Sequence, residues 1–150
     1  MSLPISNAMY PEDLVQPMRA DLTTAGFEEL RSAKDVDQKL KEKGTTLVYV
    51  NSICGCSARM GRPAVKYAVQ QATAKPDRLT TVFAGQDRDA TDRARSFFTG
   101  YAPSSPSIAL LRDGQLVWMM ERWQIEGRPP QVIATEIQAA LEEHCSPAAR

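Results

Sequence analysis

A chain of 150 residues fits one domain and is long enough to bury a core without a metal or disulfide staple. Its 18 basic and 18 acidic side chains cancel, and 43% of its residues are hydrophobic. That balance gives no reason to expect nucleic acid or an anionic membrane as partner. No apolar run approaches the roughly 20 residues of a membrane span. Residues 1–7 lack the basic-then-apolar order of a secretory signal, so a cytoplasmic location is expected.

Residues 1–9 read as a flexible leader, 10–145 as one domain and 146–150 as a flexible tail. Along 10–22, Leu14, Val15, Met18 and Leu22 recur at helical spacing, and Gly26 ends the helix. Residues 27–30 suit a short strand. Ser32 is placed to cap a second helix that runs to Gly44, with Val36 and Leu40 facing inward. The run TTLVYVNS (45–52) is β-rich and nearly all apolar, as in a central strand covered on both faces. A helix is expected from the Cys54-Gly55-Cys56 motif to about Ala72, then a second buried strand over 79–84. Residues 87–98 form a charged amphipathic helix closed by Gly100, whose Arg88, Asp89, Asp92, Arg93 and Arg95 read as a solvated face. Residues 107–111 and 115–121 predict a hairpin turning at Asp113-Gly114. A last helix over 131–144 follows Pro129-Pro130. Alternating β and α units ahead of a hairpin predict a three-layer α/β fold, with a mixed central sheet and helices on both faces.

Three cysteines are too few, and odd in number, for a secreted disulfide scaffold. Two of them, separated by one residue, point to redox chemistry or metal binding. Cys54 stands where the central strand gives way to a helix. There the unsatisfied backbone N–H groups and the positive end of the helix dipole favour thiolate over thiol. Arg59 and Arg62 follow within two turns as candidate sources of positive potential. A disulfide between Cys54 and Cys56 closes a ring of about eleven atoms, which predicts a strained, easily reduced bond with Gly55 relieving part of the strain. A metal reading uses Cys54, Cys56, His144 and Cys145 as a four-ligand zinc set. Cys145 is otherwise either a peripheral thiol or an accessory resolving one, and His144 a cation closing the last helix. Tyr101 and Trp123 read as packing residues or as the lining of a substrate groove.

The chain resembles the bacilliredoxin family from about Tyr10 to Cys145. The segments that carry the likeness are AGFEEL (25–30), GTTLVYVNSICGC (44–56), RPA (62–64), TVFAGQD (81–87), FFTGYAPSSPS (97–107) and IEG (125–127). The resemblance implies a thioredoxin-like fold and thiol–disulfide oxidoreductase activity. The implied reaction removes bacillithiol, or a similar low-molecular-weight thiol, from mixed disulfides on cytoplasmic proteins. Cys54 is implied as the attacking thiol, with Cys56 or an external thiol resolving the intermediate. In such folds a cis proline just before the hairpin packs against the cysteines and exposes the preceding backbone to substrate. Cis geometry is therefore expected at Pro106, with Gly55, Ser105 and Pro106 contacting substrate. No resident cofactor or metal is implied, and the partners are S-thiolated proteins and the small thiol. A monomer or weak homodimer is expected. The chain departs from the family pattern at Arg59, where relatives carry small residues, and at Trp123, where they commonly carry histidine.

Overall fold

A computed structural model describes residues 8–146, so the expected leader up to residue 7 and the tail from 147 lie outside the described residues. The central strand is β2 (Thr45–Asn51), and all seven of its residues are buried. It pairs in parallel with β3 (Arg78–Phe83) and antiparallel with β4 (Ser107–Arg112). The short β1 (Glu28–Glu29) runs parallel to β3 at one edge, and β5 (Gln115–Met120) closes the hairpin at the other. The order across the sheet is β1-β3-β2-β4-β5.

The pleat of β2 decides the two cores. Leu47 and Tyr49 point to the layer that holds α1 (Glu12–Thr23), α3 (Arg62–Gln71) and α6 (Pro130–His144). Val48 and Val50 point to the layer of α2 (Ala33–Leu40) and α4 (Arg88–Arg95). This is the mixed, three-layer arrangement expected from the sequence. Local chemistry sets its corners. Ser32 caps α2 by accepting a hydrogen bond from the Asp35 N–H at 3.1 Å. Asp113 and Gly114 both take positive φ, 51° and 77°, which is the geometry of a two-residue hairpin turn.

Some elements depart from the reading. Helix α2 stops at Leu40 rather than Gly44, because Gly44 turns at φ 97° to exchange backbone and side-chain hydrogen bonds with Asp113. The helix after the cysteines is not uniform: Ser57–Gly61 forms a π turn before α3 begins. A four-residue helix, α5 (Arg122–Ile125), went unread because it is too short to show a period. In α1 the expected inward Leu14 is 49% exposed, and the buried position goes to Arg19, 2% exposed.

Arg19 is a charge in the interior, and it survives there because carboxylates surround it. Its guanidinium donates to Asp87 at 2.6 and 3.1 Å and to Glu12 at 2.7 and 3.3 Å, with Glu29 at 3.2 Å. The Phe83 ring covers it at 5.4 Å. The knot ties α1 to the carboxyl ends of β1 and β3, beside the end of β2 that carries the cysteines. On α4, the expected solvated face is only partly so. Arg93 pairs with Asp37 at 2.5 Å, and Arg95 lies half-buried, its guanidinium reaching the Ser104 carbonyl at 3.3 Å.

Arg19→Ala leaves three carboxylates with only the more exposed Arg31 beside them, and is expected to cost about 3 kcal/mol in urea unfolding. The hydrogen bond from Arg19 holds the Glu12 carboxyl below its ordinary value, outweighing the upward push of burial. A depressed acid stabilises the fold above its unfolded pKa, and that contribution is lost as pH falls through the folded value. The stability gap between wild type and Glu12→Gln should therefore shrink below about pH 4.5.

Candidate active site

The site begins where β2 ends. Asn51 is buried, and its carboxamide oxygen accepts from the Ser52 N–H at 2.9 Å, the Ser57 hydroxyl at 3.2 Å and Arg62 Nη1 at 2.9 Å. Its NH2 donates to the Met18 carbonyl of α1 at 3.1 Å. Arg62 also reaches the Ser52 carbonyl at 3.3 Å and pairs with Asp21 at 3.1 Å. These contacts bend the chain out of the sheet at Ser52, whose hydroxyl then accepts from the Cys54 N–H at 2.9 Å. The Cys54 carbonyl takes the first helical hydrogen bonds, from the N–H groups of Ser57 at 2.9 Å and Ala58 at 3.2 Å. Cys54 thus caps the helix, as the sequence predicts.

Cys54 and Cys56 are half-buried free thiols, while Gly55 is exposed. Burial alone pushes the Cys54 thiol up. The Cys56 N–H, 3.4 Å from its sulfur, the Cys56 thiol, the Arg122 guanidinium and the Ser57 N–H together overcome this and hold it below the ordinary thiol value. Cys56 goes the other way: burial, its hydrogen bond to Cys54, the charge on Cys54 and Glu126 all push it up, against Arg122 alone. The two sulfurs are therefore pushed in opposite directions, Cys54 toward thiolate and Cys56 toward thiol.

The register Val50↔Ser107 brings the start of β4 to the same end of the sheet as the cysteines. There the Ser105–Pro106 peptide is cis, as expected, with Pro106 buried and Ser105 half-buried. Arg122 spans the two parts of the site. Its backbone N–H donates to Ser104 Oγ at 3.5 Å, its guanidinium to the Ser105 carbonyl at 3.4 Å, and it pairs with Glu126 at 3.5 Å. Its charge is felt by both cysteines. The Glu121/Gln124 capping box fixes the start of α5 and with it the position of Arg122.

Sequence reasoning missed Arg122 and favoured the wrong arginines. Arg59 is exposed, and Arg62 turns inward to Asn51 and Asp21 rather than toward the sulfur. No local signal marks Arg122, which is brought to the cysteines only by the pairing of β2, β4 and β5. Trp123 and Tyr101 are not packing residues: they are 71% and 43% exposed. Trp123 follows Arg122, and its indole N–H donates to Glu121 at 2.9 Å. Cys145 is buried beside Thr45 and Asp77, and burial pushes its thiol up. Thr45 is the opposite end of β2 from the motif, six residues or about 20 Å away. Cys145 is therefore not a resolving thiol for Cys54. Nor do His144 and Cys145 join the pair as a ligand set; the His144 carbonyl instead accepts from Arg112.

The family model described as disulphide isomerase matches residues 10–145. A bacilliredoxin of Shouchella clausii is 51% identical over 136 residues, which cover 91% of this chain and 95% of the relative. Bacilliredoxins of Halalkalibacterium halodurans and Staphylococcus aureus are 48% and 47% identical over 137 residues, with 91% of this chain and 94% of each relative covered. Among solved structures, the oxidised thioredoxin of Plasmodium falciparum superposes with a TM-score of 0.56 at 14% identity, covering 77% of this chain and 99% of that one. Mitochondrial thioredoxin 3 of Saccharomyces cerevisiae gives 0.54 at 14% identity, covering 82% and 98%. These two likenesses show the thioredoxin fold.

Arg122→Gln should move the Cys54 alkylation profile to higher pH at low salt. Because Arg122 lies at the surface, added salt is expected to reproduce part of that shift in the wild type. Cys145→Ser should leave the rate of mixed-disulfide turnover unchanged.

Proposed function

The chain belongs to the disulphide isomerase family in which its relatives are bacilliredoxins, a family of thiol–disulfide oxidoreductases, and from that premise we propose that it removes bacillithiol, or a similar small thiol, from S-thiolated cytoplasmic proteins. The observation that carries this reading is the placement of Cys54 at the start of the helix, with the Cys56 N–H 3.4 Å from its sulfur, the Cys54 thiol held below its ordinary value and the Cys56 thiol pushed above.

In the first exchange the Cys54 thiolate attacks the small-thiol sulfur of the mixed disulfide. A Cys54–bacillithiol disulfide forms, the old S–S bond breaks, and the substrate protein leaves as thiolate. That step removes the negative charge from Cys54. With it go the hydrogen bond and the repulsion that hold the proton on Cys56, while the pull of Arg122 remains. Cys56 then loses its proton to solvent and attacks Cys54. Bacillithiol leaves as thiolate and a Cys54–Cys56 disulfide remains, which two equivalents of an external thiol reduce. The small ring of that disulfide supports ready reduction. Direct attack on the mixed intermediate by an external thiol is the competing route.

Gly55, Ser105 and Pro106 are the proposed contacts for substrate. A Cβ built on Gly55 meets nothing within 4 Å, and its φ is not positive, so the dithiol fold itself does not require glycine there. The bare backbone supports an open approach to Cys54. The cis Ser105–Pro106 peptide leaves the Ser105 carbonyl beside Arg122, at the rim of that approach. The reading needs no resident cofactor or metal, and a monomer or weak homodimer suffices. Among the described residues no helix is long and apolar enough to cross a membrane.

Cys56→Ala incubated with a bacillithiolated protein should accumulate one bacillithiol adduct, which mass spectrometry locates on Cys54. Cys54→Ala should release the small thiol no faster than background. An adduct on Cys56, or undiminished release by Cys54→Ala, overturns the assignment. Reduction of ordinary protein disulfides without release of the small thiol shows a general disulfide reductase instead.

A further inference from the structure

Beneath the cysteines lies a chain of buried hydroxyl and amide groups that no step of the exchange uses. Tyr49, Asn51 and Ser57 are each at most 1% exposed. The Tyr49 hydroxyl lies 2.7 Å from Ser57 Oγ, and Ser57 Oγ lies 3.2 Å from Asn51 Oδ1. The direction of each hydrogen bond follows from the inventory of donors. The Asn51 NH2 is engaged with the Met18 carbonyl, so its oxygen faces Ser57 and can only accept. The single proton of the Ser57 hydroxyl goes to Asn51, and Tyr49 therefore donates to Ser57. Burial pushes the Tyr49 phenol well above its ordinary range, in keeping with a permanent donor.

The same residues shape the backbone above them. Ser57 opens the π turn and Gly61 ends it. A Cβ on Gly61 would stand 2.3 Å from the Tyr49 hydroxyl, so the tyrosine occupies the space a side chain would need. Tyr49 thus holds both ends of the turn: Ser57 by a hydrogen bond and Gly61 by contact. The N–H of Cys56, the residue before Ser57, lies 3.4 Å from the Cys54 sulfur, while the N–H of Ser57 holds the Cys54 carbonyl at 2.9 Å. π turns inside helices recur at functional sites, where an extra residue re-aims the backbone.

We propose that Ser57 is a positioning residue for the exchange reaction, its buried hydroxyl anchored by Tyr49 and Asn51 so that its own N–H holds the Cys54 carbonyl and the preceding N–H, that of Cys56, is presented to the Cys54 sulfur. The role is mechanical. Ser57 touches no substrate, and it acts through the backbone that stabilises the thiolate. Removing its hydroxyl leaves Asn51 Oδ1 with two donors but strands the Tyr49 proton in the core, and the turn is then free to shift. The inference rests on Cys54 being the attacking thiol.

The test is the pH profile of Cys54 alkylation in the full-length chain, resolved by mass spectrometry for each cysteine, in wild type, Ser57→Ala and Tyr49→Phe. Ser57→Ala is expected to raise the Cys54 midpoint by about one pH unit and to cut its rate by about tenfold at pH values well below the wild-type midpoint, with the high-pH plateau unchanged. Tyr49→Phe, one hydrogen bond further away, should give a smaller shift in the same direction. A purely structural role lowers the melting temperature and leaves the midpoint where it was. Folded variants whose Cys54 midpoint coincides with a depressed wild-type value overturn the positioning role and leave the proposed function standing. A wild-type midpoint in the ordinary thiol range overturns both. Should Ser57→Ala fail to fold, Tyr49→Phe, which loses a single oxygen, decides the matter.

Discussion

The geometry of the site hangs on one oxygen, Oδ1 of Asn51. Three donors from three different places converge on it: the next backbone N–H, a hydroxyl from the π turn and a guanidinium from α3. The other end of the same amide holds α1 through the Met18 carbonyl. Each such bond contributes about 1 kcal/mol net, while an orphaned buried partner costs about 1–3 kcal/mol, so the cluster is held mainly by what it would cost to break. An aspartate could not replace it. The carboxylate would suit Arg62 but would set an acceptor against the Met18 carbonyl, where a donor is required. Only a group that accepts at one end and donates at the other fits between the strand, the turn and both helices.

Two layers of control over Cys54 follow from this base. The inner layer is made of neutral groups, the Cys56 N–H at the sulfur and the Ser57 N–H at the carbonyl of the same residue, and it works by position. Being buried and short in range, it is insensitive to ionic strength. The outer layer is Arg122, a full charge at the surface whose influence is screened by salt. Arg122 is itself held at the Ser105 carbonyl of the cis-proline loop. The cis-proline loop and the Cys54 sulfur thus share a residue that neither the motif nor the proline contains.

What was legible in the sequence was local. The β2 run, the cysteine pair at its end, the Ser32 cap and the Asp113-Gly114 turn each state their geometry within a few residues. The family likeness added the cis Pro106. What was not legible depends on pairing across the sheet or on helix phase. Arg19 looks like a surface residue until Glu12, Glu29 and Asp87 are folded around it. Arg122 is 68 positions from Cys54 and joins it only because β4 and β5 stack beside β2. Arg59 and Arg62 misled for another reason. A regular helix turns about 100° per residue, so the extra residue of a π turn rotates everything after it by about that much. Any estimate of where those side chains point, made by counting from Cys56, is wrong by more than a quarter turn.

The one-residue spacing of the cysteines acquires a meaning from these contacts. Because Cys56 comes two residues after Cys54, its own backbone N–H is the donor that lies on the Cys54 sulfur. The second cysteine therefore supports the first through its main chain while its side chain waits as thiol. Its readiness is coupled to the state of Cys54, since the charge it helps to stabilise is part of what keeps it protonated. In the exchange proposed above, discharge of that charge removes part of what holds the proton on the second sulfur.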